Sequence, residues 1–148
     1  MKLSKALKEK NRIAGELDFL KIQLTQQNVR PSTQSFDYQA TDLYAQIHAR
    51  LDELVKIKTA IARANVSVYD KIFRLAELKG LSSFLKELET KNGTFKESGS
   101  GYGTVYEIEY VAQLKKKEVD TLVAATDAEI QTLQDELDEF NFTCSAAI

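Results

Sequence analysis

Tyr44-Ala45-Gln46-Ile47-His48-Ala49-Arg50-Leu51-Asp52-Glu53-Leu54-Val55-Lys56-Ile57-Lys58-Thr59-Ala60-Ile61 is the stretch on which the fold turns. Within it Tyr44, Ile47, Leu51, Leu54, Lys58 and Ile61 step by 3, 4, 3, 4 and 3, the spacing of a helix seam that needs a partner helix. Towards the N-terminus, Asn28-Val29-Arg30-Pro31-Ser32-Thr33-Gln34-Ser35 gathers turn formers around the only proline. The residue before proline avoids helical backbone, so a loop to about residue 40 precedes the seam. Before the loop, Leu3, Leu7, Ile13, Leu17, Leu20 and Leu24 paint one stripe on a helix over about residues 3–28. Gly15 interrupts that helix at a cost of about 1 kcal/mol relative to alanine, and reads either as a close helix crossing or as a tolerated defect.

Towards the C-terminus, Ser67-Val68-Tyr69-Asp70 has the form of a capping box and breaks the helical stretch near Asn65 and Val66, unless the second helix continues through a kink. The third stripe is Ile72, Leu75, Leu78, Leu81 or Ser82, Leu85 and Leu88, and it stops around Thr90 to Gly93. Residues 94–110 then change period. Tyr106, Ile108 and Tyr110 alternate with charge, and Gly99-Ser100-Gly101-Tyr102-Gly103 makes a tip, so the segment predicts a β-hairpin. A lone hairpin is marginal in water, so it should lie on the helices or pair with another copy. The last helix starts near Val111 or Ala112 and carries Leu114, Val119, Leu122, Ile130, Leu133, Leu137 and Phe140.

Charge along the chain is uneven. Residues 1–117 hold all 20 basic residues and residues 118–148 hold none, so a formal net charge of -2 conceals segments of about +6 and about -8. Base at the start of the first helix and acid at the end of the last both oppose the helix macrodipole. Pairing these two helices antiparallel, with residues 3–24 facing residues 119–140, resolves both anomalies. The expected fold is therefore mainly α, with about four amphipathic helices in an elongated bundle or helical hairpins, first and last antiparallel. A small β-hairpin near residues 94–110 is inserted into a single domain over residues 1–148.

Composition is ordinary for a globular protein, 43% hydrophobic and 28% charged, and no apolar run approaches a transmembrane span or a signal peptide. A cytoplasmic location without membrane partners is the expectation, in which the single Cys144 has no disulfide to make and Asn65, Asn92 and Asn141 are not glycosylation sites. His48 has Tyr44 one turn before and Asp52 one turn after, but two ligands make no metal site. No Ser or Cys nucleophile has a recognisable partner, and the glycines at 99, 101 and 103 lack the Gly-Lys-Ser/Thr of a phosphate loop. Glu107 and Glu109 share one face of a strand, as the wet face of a half-buried strand requires. No catalytic residue, metal or cofactor is expected.

Several short patterns together resemble a family of small bacterial helical proteins of unknown function, some loosely labelled septicolysin-like. They are Met1-Lys2-Leu3 with Ala6-Leu7, Ile61-Ala62-Arg63-Ala64-Asn65, Tyr106 to Val111 leading into Leu114, and Leu133, Leu137, Asn141 and Phe142. The family more often has a second asparagine and a threonine where Ala62 and Ala64 stand here, and tryptophan where Phe142 stands. The resemblance implies an elongated, self-associating helical fold and no established activity. In outline the order helix, aromatic hairpin, helix is also similar to prefoldin-type chaperone subunits, a likeness of architecture that carries no function.

The leading functional expectation is a non-enzymatic, coiled-coil-like interaction protein that forms a homo-oligomer. Its contact surface would be built from Tyr44, Ile47 and Leu51 on the seam and Tyr102, Tyr106 and Tyr110 on the hairpin. One alternative is a small-molecule-binding protein or enzyme with a pocket beneath that aromatic hairpin. A second is nucleic-acid binding through Lys2, Lys5, Lys8, Lys10 and Arg12, disfavoured because no aromatic neighbours there suit base stacking.

Overall fold

The computed structural model describes residues 1–99, 101 and 103–148. It is mainly helical, with α1 (Leu3–Gln27), α2 (Ala40–Ala64), α3 (Tyr69–Glu87) and α4 (Lys116–Thr143). Strands β1 (Gly93–Ser98) and β2 (Val105–Tyr110) form a two-stranded antiparallel sheet. The mainly α class with a small β-hairpin is thus the observed one. The chain divides into two compact units, one of Met1–Tyr69 with Leu137–Ile148 and one of Asp70–Glu136.

In the first unit α1 and α2 run antiparallel and close together. Leu3, Ala6 and Ile13 share a buried cluster with Ile57, Ala60, Ile61 and Ala146, and Leu7, Leu54, Ala64 and Phe140 pack against it. Alanines at the contact let two helix backbones approach, because the interaxial distance follows the side chains between them. A Cβ on Gly15 would meet nothing within 4 Å, so that glycine marks no close crossing and is the tolerated defect.

The proline-bearing loop is tied by Arg30, whose guanidinium donates to the Ser35 carbonyl at 2.8 Å and to Asp37 at 3.0 Å. At the other end of α2 the break falls between Asn65 and Val66 as the sequence predicts, but by another device. A 3-10 turn over Val66–Val68 replaces the expected capping box, with Val68 N donating to the Asn65 carbonyl at 2.9 Å. Beyond α4 the chain returns along its own start. Leu3 N donates to the Cys144 carbonyl at 2.9 Å and Ala146 N to the Met1 carbonyl at 2.8 Å, an antiparallel bridge between Lys2 and Ser145.

In the second unit α3 faces α4 antiparallel, through Lys71–Glu136 at 3.0 Å, Arg74–Glu129 at 2.6 Å and Lys86–Asp127 at 3.6 Å. The Ser82 hydroxyl also donates to Asp127 at 2.6 Å. The expected charge complement of first and last helices is corrected by these pairs. The acid at residues 127–136 is matched by bases spread along α3, while the lengthwise partner of α1 is α2. What the first unit retains of the expectation is the meeting of ends: Lys2 Nζ donates to the Thr143 carbonyl at 3.3 Å, a cation at the negative end of α4.

Candidate interaction surface

Helix α2 carries two interleaved seams offset by one residue. Leu43, Ile47, Ile57 and Ile61 are buried. One residue further round stand Tyr44, Leu51 and Val55, exposed by 59%, 41% and 57%. The predicted surface therefore divides: Tyr44 and Leu51 face solvent, whereas Ile47 is spent on the core. Val55, which the sequence reading passed over, joins the outward set. His48 lies among them, its ring 6.0 Å from that of Tyr44 in an edge-on contact and its Nδ1 3.8 Å from Asp52. Between an apolar ring, a carboxylate and water, His48 has the surroundings of a surface side chain.

The opposite flank of the α1/α2 hairpin holds an open groove of about 580 Å³ lined by Arg12, Gly15, Glu16, Phe19, Leu20, Gln46 and Arg50. Its charges are already used. Arg12 pairs with both Glu9 and Glu16, and Arg50 reaches Glu16 at 3.2 Å and Glu53 at 2.7 Å. The hydrogen bond to Glu9 does most to raise the Arg12 pKa, and that same bond does most to lower the Glu9 carboxyl.

On the hairpin, the register Phe95↔Ile108, Glu97↔Tyr106 and Gly93↔Tyr110 puts Phe95, Glu97, Tyr106, Ile108 and Tyr110 on one face. Lys91 closes over it, with Nζ 4.6 Å from the Phe95 ring centre and 4.3 Å from that of Tyr110, within cation–π range. Glu97 accepts from Lys91 at 3.2 Å and from the Tyr110 hydroxyl. The Tyr110 bond, then the Lys91 bond, hold the Glu97 carboxyl below its usual range, and the same contact raises the Tyr110 phenol. So Tyr110 is committed within the hairpin and Tyr106 is 44% exposed, while the predicted Tyr102 lies outside the described residues. Lys91 and Glu97 were not foreseen. Lys91 precedes the strand and Glu97 opposes Tyr106 only once the register is known.

Among the described residues no three His, Cys, Asp or Glu side chains come together as metal ligands, and no helix is long and apolar enough to cross a membrane. Compared with family models, curated proteins and solved structures, the chain matches none.

Proposed function

We propose that this chain is a non-enzymatic helical protein that acts by self-association, through surface rather than through a reaction centre. The observation that carries this reading is the second unit. Among its described residues only Leu75, Leu78, Leu85 and Val119 are buried apolar side chains, while Leu81, Phe84, Leu122, Val105 and Tyr106 stay in water. Segments of this size with so little core are commonly completed by association. The outward seam of α2 adds a second unmatched apolar surface. The resemblance to the bacterial family, which implies self-association, points the same way.

The small-molecule reading is less favoured, because on the hairpin Lys91 and Tyr110 are both bonded to Glu97, and the groove beside α1 and α2 has its cations and carboxylates paired with one another. The basic-helix reading is also weakened, with Arg12 engaged by two glutamates and Lys2 by the end of α4. A cytoplasmic setting fits a single unpaired Cys144. Light scattering across a hundredfold range of concentration, about 1–100 μM, tests the proposal at affinities typical of weak to moderate association. A mass above the 16.7 kDa chain at the upper end is expected, and a strict monomer throughout would end it.

A further inference from the structure

Residues 28–39, which join α1 to α2, make a longer connection than the about 2–8 residues that helix–helix turns take, and loops of excess length commonly carry function. This one is held in shape. Besides the two bonds of Arg30, Gln34 N donates to the Pro31 carbonyl at 2.9 Å and Asp37 N donates to Gln27 Oε1 at 3.3 Å. Where the loop meets the ends of the two helices lies a pocket of about 180 Å³, lined by Gln27, Asn28, Phe36, Tyr38, Gln39 and Ala40.

In a chain with 28% charged residues, no charged side chain lines this pocket. Arg30 and Asp37, both on the loop, are paired with each other at 3.0 Å. Phe36 and Tyr38 are 53% and 52% exposed, so neither ring is spent on the core. The polar groups of the lining are three carboxamides, of which Gln27 is the most informative. It is only 9% exposed and uses Oε1 to hold Asp37 N, while its Nε2 meets no acceptor among the described residues. No side-chain nitrogen or oxygen among those residues is both buried and unbonded, so Nε2 opens onto free space. The free space that Gln27 lines is this pocket. A buried amide with donors to spare beside two aromatic rings has the make-up of a ligand site.

We propose that the pocket binds a neutral, flat nitrogen heterocycle of the nucleobase kind. Drug-sized sites run to roughly 300–1,000 Å³, so a pocket this small takes a single ring system. Phe36 and Tyr38 offer stacking faces, which suit any flat π system. A carboxamide carries a donor and an acceptor side by side, and a nucleobase edge presents the complementary acceptor and donor, the pairing by which Asn and Gln read adenine. The uncharged lining selects against ions of either sign, since each would lose water without gaining a counter-charge. An adjoining concavity of about 340 Å³ shares Asn28 and Ala40, adds Leu24, Thr41 and Tyr44, and leaves room for whatever the ring is attached to. The ring can be that of a free base or nucleoside, or an unpaired base of a nucleic-acid strand. The site goes beyond the self-association reading and does not depend on it.

The test titrates the full chain with adenine, cytosine, uracil and guanosine while the side-chain amide signals of Gln27 are followed by NMR. At least one should bind with a Kd of about 0.1–1 mM, as expected for a ligand of about ten non-hydrogen atoms, and shift those signals. Gln27→Glu keeps an oxygen to accept from Asp37 N and removes the spare donors, and should weaken binding about tenfold or more. Phe36→Ala removes a half-exposed ring, leaves the core intact, and should weaken it about fivefold or more. Should Gln27→Glu lose helical circular dichroism, Phe36→Ala stands in its place. A short single strand of the best-binding base then separates the sources. Tighter binding that falls steeply with salt identifies a strand, and its absence a free base or nucleoside, and either upholds the pocket. No base bound at about 5 mM, or binding that leaves the Gln27 amide and the variants' affinities unmoved, overturns it.

Discussion

The two units are built from the same motif, a pair of antiparallel helices, and are held together differently. In the first, backbones approach closely over Ala6 and Ala60, and Leu3 and Ala6 are wholly buried. In the second, the backbones of α3 and α4 stand further apart, and ion pairs with a serine–aspartate hydrogen bond span much of the gap. Exposed ion pairs contribute little to stability, so the first unit is stabilised by packing while the second depends on few leucines and on polar contacts that salt weakens. Helical pairing is thus common to both, and only in the first do buried alanines stand at the contact between the two helices.

The contrast is sharpest in core truncation. Leu3→Ala should cost about 3–4 kcal/mol in urea denaturation, because a fully enclosed leucine leaves a cavity that cannot collapse. Leu85→Ala in the second unit should cost about 2 kcal/mol or less, since its sparse surroundings relax. Equal costs would erase the distinction. Ser82→Ala removes the 2.6 Å donor to Asp127, which keeps Lys86 at 3.6 Å, and should cost about 1 kcal/mol. If it were neutral, the polar contacts would not be what joins α3 to α4.

Gly15→Ala should stabilise by about 0.5–1 kcal/mol, read as a raised denaturation midpoint, because the new methyl meets nothing and the helix gains propensity. A loss would mean that the α1/α2 hairpin needs that space. The smallest effect is in titration. Glu97 should titrate below the ordinary carboxylate range by NMR, and Tyr110→Phe should move its midpoint upward. Because the folded pKa is depressed, the associated stability is present above the unfolded carboxylate pKa and is lost as pH falls through the folded one. A midpoint unmoved by Tyr110→Phe would show that the phenol does not hold the carboxylate.

Most helix limits were legible because their punctuation is local. Pro31, the turn formers around it and the asparagine at 65 act within a few residues, and the glycines with Tyr106, Ile108 and Tyr110 announce the hairpin by period. But α3 already ends at Glu87, short of the expected Thr90, and α4 begins only at Lys116 rather than near Val111 or Ala112, so Leu88 and Leu114 lie outside the helices. Helix partners were less legible. Summing charge over residues 118–148 matched α4 to the basic start of α1, but pairing is decided side chain by side chain. Lys71, Arg74 and Lys86, diluted in sequence by Glu77 and Glu87, are the bases that meet the acid of α4. The residues chosen on α2 for the interaction surface straddle two faces for a geometric reason. Two heptads one residue apart both satisfy 3,4 spacing, so Tyr44 and Leu51 from the outer seam were read together with Ile47, Leu54 and Ile61 from the inner one. Periodicity reports that a helix has a face and leaves open which of two adjacent faces is inward.

The bridge between Met1–Lys2 and Ser145–Ala146 has a consequence for the order of folding. Helices, their antiparallel neighbours and the β-hairpin close short loops and form fast, whereas this bridge joins residues up to 145 apart in sequence. It is therefore expected to close last and to open first. In native-state hydrogen exchange the amides of Leu3 and Ala146 should lose protection together, ahead of the interior of α1, although Leu3 belongs to the most deeply buried side chain of the molecule.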